Sequence, residues 1–264
     1  MQGIKGDELD GSSTSNYAFA TAFVNGKHVL EVGCGYGYGV DVLAKSAEYV
    51  VGIDVSSKAT RSARIRYDTP KTNFVIADCT NLPFKRSSFD IVTSFEVIEH
   101  LTSQRAFLTE TKRVLKRNGG LILSTPNKYV EFPHPFHIHE FAPRELRSLL
   151  QQYFSDVRIL GRSVKHARKD RIRAEEQLRK SLRFRLALIM NHSSLKVMLL
   201  AFFIVPPRLR NAVFGLRAPN LRACDFEFSE NKVEQAGTII GIAENSYTRA
   251  ERKSTDIVCA RSQT

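Results

Sequence analysis

The sequence predicts an α/β chain: a doubly wound, mostly parallel, seven-stranded sheet with a helical insertion between the last two strands. Three observations predict it. Short apolar runs alternate with helix-length segments rich in Ala, Arg, Glu and Leu, which is how strands joined by helical crossovers read. The first run ends in a turn crowded with glycines, the pattern of a strand, a tight loop and a helix. The last two runs are separated by residues 163–222, far too many for a hairpin loop.

Residues 28–33, HVLEVG, give the first strand and its turn, and 40–46 the helix that follows. Further strands are expected at 49–53, 73–77, 91–95 and 121–124. A helix is expected at 143–153, with strands at 157–160 and 238–243. Right-handed crossovers bring the carboxyl ends of parallel strands to one edge, where ligands bind in such sheets. The expected layout is a core over 1–162, a basic helical insertion over 163–222, the last core strands over 223–245 and a loosely ordered basic tail over 246–264.

With 264 residues, 42% hydrophobic and 25% charged, the chain can bury an ordinary core and reads as neither disordered nor membrane-spanning. Cys34, Cys79, Cys224 and Cys259 form no CxxC pair, which points away from structural zinc and a disulfide framework and toward a reducing cytoplasm. The first residues, MQGIK, lack an apolar signal core and carry Gln where myristoylation needs Gly, so no export is expected. Of the formal charge of +12, +11 lies in 163–222, where fourteen Lys and Arg face three acids. The remainder is nearly neutral.

In EVGCGYGYG the glycines Gly33, Gly35, Gly37 and Gly39 let the chain turn sharply and approach a ligand at a helix N-terminus. A turn without a ligand fits the same letters. A dinucleotide site would want a third glycine at position 38, where Tyr38 stands, which counts against a nicotinamide cofactor. Asp54 follows the second strand, 21 residues after Gly33, where a carboxylate can accept from both hydroxyls of a ribose. It also fits a helix cap. Asp78 closes the third strand, so two strand-end acids converge on one edge.

The segments HVLEVGCGYGYGVDVLA, VVGIDVS, FVIADCTNLPFKRSSFDIVTSFEVIEHL and FLTETKRVLKRNGGLILSTPN resemble, in order and spacing, the successive motifs of class I S-adenosylmethionine-dependent methyltransferases of the small-molecule type. The resemblance covers roughly residues 15–160. It implies a Rossmann-like methyltransferase fold with S-adenosylmethionine as cofactor. It further implies that Glu31, Gly33, Gly35 and Gly37 surround the methionine part and that Asp54, with Val55 beside it, holds the ribose. By the same match Asp78 and Cys79 flank the adenine, Phe95 and Glu96 lie under the sulfonium, and Tyr17 packs over the cofactor.

A methyl group on a sulfonium already has a good leaving group, so alignment and exclusion of water are the enzyme's main work. A hydroxyl acceptor must in addition lose its proton. His137 and His139, in PHPFHIHEF, are the candidates to take it. The E-x-x-E-H pattern followed by a later histidine also resembles the metal-binding pattern of ubiquinone-biosynthetic O-methyltransferases and small-RNA 2′-O-methyltransferases. There Glu96, Glu99, His100 and His139 would hold a divalent cation through oxygen and imidazole ligands. The same letters fit capping and core hydrogen bonds, and no metal is expected.

Within the insertion, Ile172, Leu178, Leu182 and Leu186 recur among basic residues at near-helical spacing. The apolar run 197–205 is about half the length of a membrane span. Three readings stand for this segment: a lid solvated on its charged face, a lid that also rests on an anionic membrane, and a nucleic-acid surface. The whole resembles bacterial methyltransferases that modify sugars or lipid-linked glycans. The expected function is methyl transfer to a hydroxyl of a glycan or lipid-like acceptor, in the cytoplasm or peripherally on the inner membrane face. Alternatives are RNA 2′-O-methylation and a binding module that keeps the fold without catalysis.

Overall fold

The computed structural model describes residues 11–130, 135–164, 226–231 and 233–244. In chain order these form α1 (Gly11–Ala20), β1 (His28–Val32), α2 (Tyr38–Ala44), β2 (Tyr49–Asp54), α3 (Ser57–Tyr67), β3 (Thr72–Ile76) and β4 (Phe89–Phe95). A 3-10 turn (Ile98–His100) follows, then α4 (Gln104–Val114), β5 (Leu115–Pro126), α5 (Pro143–Gln151), β6 (Asp156–Val164), β7 (Phe226–Ser229) and β8 (Thr238–Glu244).

The strands make one sheet in the order β3-β2-β1-β4-β5-β8-β6-β7. The five strands β1 to β5 pair in parallel, while β8 runs antiparallel to both β5 and β6, and β7 antiparallel to β6. Both faces are covered, which explains why β1 and β2 read as apolar runs without alternation. One face packs Ala20 of α1, Val40 and Leu43 of α2 and Ala63 of α3 against Val29, Ile122 and Ile240. The other packs Phe107 and Leu108 of α4 and Leu146 and Leu150 of α5 against Leu30, Val92, Leu121 and Leu123.

Local signals set the helix starts. Ser56 and Ser103 cap α3 and α4 by accepting from Ala59 N at 3.2 Å and Ala106 N at 3.3 Å, each satisfying a backbone donor that the first turn leaves over. Pro143 begins α5, where its missing N–H costs nothing, and Glu145 reaches back to Ala142 N at 3.3 Å.

The sheet has eight strands, where the sequence predicts seven. The added strand is β7, whose four residues FEFS pair with Gly161–Val164 at the sheet edge. Four residues are too few for a period-two pattern to stand out. The long segment therefore leaves after β6, which runs two residues past the expected core boundary at 162, and returns at β7, before the last two strands. The basic insertion falls on residues outside those described, as does the basic tail. No described helix is long and apolar enough to cross a membrane.

Candidate functional site

The order of the sheet reverses between β1 and β4: β1 leads outward to β2 and β3, β4 outward to β5. The crevice beyond the carboxyl ends of two such strands is where open α/β sheets bind ligands. Glu31 and the glycine loop lie at the end of β1, and Phe95 and Glu96 at the end of β4.

The loop is held in a form only glycines accept without strain. Gly33 and Gly37 have φ of 76° and 86°, and an added Cβ would stand 2.4 Å from Val97 Cγ2 at the first and 2.7 Å from the Ala63 Cβ at the second. At Gly35, with φ 51°, nothing lies within 4 Å of that position. Two glycines are therefore packed from behind and the middle one fronts open space.

Glu31 is 1% exposed. Its Oε1 accepts from the Tyr17 hydroxyl at 2.5 Å, while its Oε2 is buried with no hydrogen-bond partner. Burial pushes the Glu31 carboxyl up to about 8, against the smaller lowering effect of the Tyr17 hydrogen bond. A buried carboxyl oxygen without a donor is costly unless a ligand supplies one. A primary ammonium on a ligand is such a donor. Tyr17 also meets Phe95 edge to face, ring centres 5.1 Å apart.

Asp54 binds the loop to the sheet: its Oδ2 accepts from Gly35 N at 2.9 Å and its Oδ1 from Ser56 N at 2.8 Å. Each oxygen keeps a lone pair for a ribose hydroxyl. Val55 beside it is 72% exposed, an apolar surface at the site's rim. Asp78 is exposed and accepts at Oδ1 from Thr80 N and Oγ1, both at 2.8 Å. Cys79 is buried, and burial beside Asp78 pushes its thiol up to about 11. Burial raises the Cys34 thiol still further, so neither is a ready thiolate. Cys224 and Cys259 lie outside the described residues.

Glu96 is one of two described non-glycine residues with positive φ, at 56°, and its Oε1 accepts from Ser124 Oγ at 2.6 Å. Glu99 is 1% exposed; its Oε2 accepts from Thr125 Oγ1 at 3.1 Å and its Oε1 is buried without a hydrogen-bond partner. Burial, with Glu96 adding repulsion, pushes the Glu99 carboxyl up to about 8.

The four residues named for a metal are not all brought together. Ligand atoms of Glu99, His100 and His137 lie within 4.8 Å of one another, and His100 Nδ1 is held by the Phe136 carbonyl at 3.0 Å. An imidazole backed by a carbonyl and a carboxylate with an unused oxygen are donors that suit a divalent cation. His137 replaces His139 in this group. His139 turns away to Glu145, Nε2 to Oε1 2.6 Å, and packs on Phe141. Ile138 N and His139 N both donate to Glu99 O, at 2.8 and 3.1 Å, around a bend at Ile138 that separates the two imidazoles. Of the two histidines named as bases, His137 lies in the cluster, its Nδ1 3.6 Å from Glu140 Oε1.

Sequence reasoning overlooked Asn16, Ser124, Thr125 and Arg162, all buried polar residues. Asn16 lies in the polar helix GSSTSNYAFA, Ser124 and Thr125 side by side near the end of β5, and Arg162 in the mixed strand DVRILGRSV, so none stands out locally and only their meeting across elements gives them meaning.

The family described as "methyltransferase domain" matches residues 30–123. Over 142 residues the chain is 40% identical to a "probable S-adenosylmethionine-dependent methyltransferase" of Mycobacterium tuberculosis, covering 51% of each chain. It is 33% identical over 163 residues to a fatty-acid O-methyltransferase of Mycolicibacterium smegmatis, covering 60% of this chain and 59% of that one. It is 31% identical over 167 residues to a phthiotriol/phenolphthiotriol dimycocerosates methyltransferase of Mycobacterium ulcerans, covering 61% and 59%. The chain thus spans about half to three fifths of the length of these relatives. Among solved structures, an S-adenosylmethionine-dependent methyltransferase from Thermotoga maritima shares the fold with a TM-score of 0.57 at 14% identity, covering 89% of this chain and 90% of the other.

Proposed function

Because the chain carries a class I S-adenosylmethionine-dependent methyltransferase domain, with S-adenosylmethionine as its cofactor, we propose that it transfers a methyl group to a hydroxyl of a lipid-like or lipid-linked glycan acceptor. One observation carries the acceptor class. The polar cluster of Glu99, His100 and His137 is flanked by the exposed apolar side chains of Phe136, whose carbonyl meets His100, and Ile138, whose amide meets the Glu99 carbonyl. An acceptor with a polar reacting head and an apolar body fits that setting. The relatives that act on fatty acids and dimycocerosates support the same class.

Bound in the crevice, S-adenosylmethionine supplies a methyl carbon on a positively charged sulfur that leaves with the carbon–sulfur electron pair. Glu31 accepts from the amino group at that end of the site, and Asp54 from the ribose. The Tyr17 and Phe95 rings exclude water between them. His137 takes the proton that the acceptor hydroxyl gives up. Alternatively, Glu99, His100 and His137 would hold a divalent cation, whose chemistry would be to polarise the acceptor oxygen; His137 would then be a ligand and not the base. We further propose that the +11 charge of 163–222 draws the chain to an anionic membrane surface on which a lipid-borne acceptor resides.

The first test is calorimetric titration with S-adenosylhomocysteine of the wild type and Asp54→Ala. Micromolar binding that the variant loses is expected; a folded wild type that does not bind sinks the reading. Next comes a screen with methyl-deuterated cofactor against hydroxylated lipids, fatty acids, glycans and RNA, with and without Mg²⁺ and chelator, read by mass spectrometry. Labelled RNA alone would overturn the lipid assignment. Co-sedimentation with phosphatidylglycerol vesicles but not phosphatidylcholine vesicles tests the membrane contact.

A further inference from the structure

A buried line of hydrogen bonds crosses the sheet from β6 to the end of β4. Arg162, 8% exposed, donates from Nη1 to Asn16 Oδ1 at 2.8 Å and from Nη2 to Thr238 Oγ1 at 2.6 Å. Asn16 donates from Nδ2 to Ser124 Oγ at 3.1 Å. Ser124 donates its hydroxyl to Glu96 Oε1 at 2.6 Å and accepts from Glu96 N at 3.2 Å.

The direction of every bond is fixed by the chemistry of its ends. A guanidinium has donors only, so Asn16 must give it the amide oxygen and keep its NH₂ for Ser124. The Ser124 oxygen then accepts from two N–H groups, and its single proton is left for Glu96. The line runs one way, from a cation to a carboxyl, and bonds aligned in this way polarise one another.

Stability alone does not call for such a device. A buried cation is expensive to desolvate, and an apolar side chain of similar volume fills a sheet at least as well. Its far end is also strained, since Glu96 holds φ at 56° without being glycine. Glu96 follows Phe95, whose ring meets Tyr17, whose hydroxyl bonds Glu31. The glycine loop and Glu96 thus end two adjacent strands at the same crevice.

Resting on the methyltransferase reading, we infer that Arg162, Asn16 and Ser124 are positioning residues that fix Glu96 as an acceptor facing the cofactor's charged sulfur. The site thereby favours S-adenosylmethionine over S-adenosylhomocysteine, whose sulfur is neutral, and releases its product. The two ligands share every other group, so their affinity ratio reads the sulfur's charge and cancels general damage to the site.

The test is calorimetric titration of both ligands into the wild type and the variants Ser124→Ala, Asn16→Asp and Arg162→Met. Ser124→Ala removes the last donor. Asn16→Asp keeps a partner for Arg162 but offers Ser124 a carboxylate, drawing its proton away from Glu96. In each, the ratio of Kd for S-adenosylmethionine to Kd for S-adenosylhomocysteine is expected to rise at least fivefold. S-adenosylhomocysteine binding should stay within about twofold. Ser124→Thr, which restores the hydroxyl, is expected to return the ratio to the wild-type value. Should Arg162→Met fail to fold, the Ser124 and Asn16 variants carry the test. Equal weakening of both ligands, or an unchanged ratio in folded variants, overturns the inference while leaving the methyltransferase reading intact. A folded wild type that binds neither ligand overturns both.

Discussion

Replacing Glu31 by Gln is expected to make the cofactor-free protein more stable at neutral and alkaline pH while destroying its affinity for the cofactor. In the folded chain the Glu31 carboxyl is pushed from 4.5 to about 8 by burial, so between those values the folded state holds a proton that the unfolded chain has released. Stability then falls as pH rises through that window, and the full penalty is present above pH 8. At 1.36 kcal/mol per unit the penalty reaches about 5 kcal/mol. Water entry and relaxation around an ionised Glu31 reduce this, so the expected gain for Glu31→Gln is about 2–5 kcal/mol at pH 8, or ~5–15 °C in Tm for a chain of this size. Gln keeps an oxygen to accept from Tyr17 and never titrates.

The assay is thermal unfolding of both proteins from pH 5 to pH 9 without ligand, with S-adenosylhomocysteine titrations alongside. The Tm advantage of Glu31→Gln should be near zero at pH 5, grow to pH 8 and then level off. Affinity should drop about 100-fold or more, as when one partner of a buried charged pair is removed. Wild-type binding at pH 7 should release close to one proton, visible as a dependence of the heat on the buffer. A Tm difference that does not change with pH would refute the burial argument. Undiminished affinity would refute the placing of the ammonium.

His137→Ala is expected to slow transfer to a hydroxyl acceptor by about 10²–10⁴-fold, whereas His139→Ala, which only frees Glu145, should leave it within a few fold; steady-state rates with the acceptor from the screen decide this. Gly37→Ala meets Ala63 at 2.7 Å and Phe74 at 2.9 Å with φ at 86° and should cost about 2–4 kcal/mol in urea unfolding, since overpacking and a forced left-handed backbone add. Arg113→Met removes the fork that binds the carbonyls of Phe84 at 2.7 Å and Leu82 at 2.9 Å and should cost about 1–3 kcal/mol, with the loop carrying Asp78 showing faster hydrogen exchange.

The parallel half of the sheet was legible because β1 and β2 are buried along most of their length and read as short, mainly apolar runs at regular intervals. The place of Asp54 at the end of the second strand was legible from the apolar run before it, and there it binds Gly35 N. β7 was not legible, because four edge residues carry too little pattern and its pairing with β6 spans a long stretch of chain. Nor was the choice between His137 and His139. Both carry the same letter two positions apart, and the difference is made by the Glu99 carbonyl, which takes two successive amides and bends the chain between them. The line from Arg162 to Glu96 joins α1, β6, β5 and β4; no local window contains it.

Charge is divided unevenly along this chain. Glu31, Asp54, Asp78, Glu96 and Glu99 all stand at the carboxyl ends of the strands or in the turns that follow them, while +11 of the chain's +12 belongs to 163–222. Burial pushes the Glu31 and Glu99 carboxyls up to about 8, so near neutral pH those two add little to the field at that edge until a cationic ligand group draws off the proton. The proposed acceptor, a hydroxylated lipid in an anionic membrane, suits this division, because its headgroup neighbours carry the phosphates and its own reacting group need not. Raising the salt concentration should therefore weaken binding to anionic vesicles while leaving S-adenosylhomocysteine affinity nearly unchanged, since the first interaction is exposed and screened and the second is largely buried.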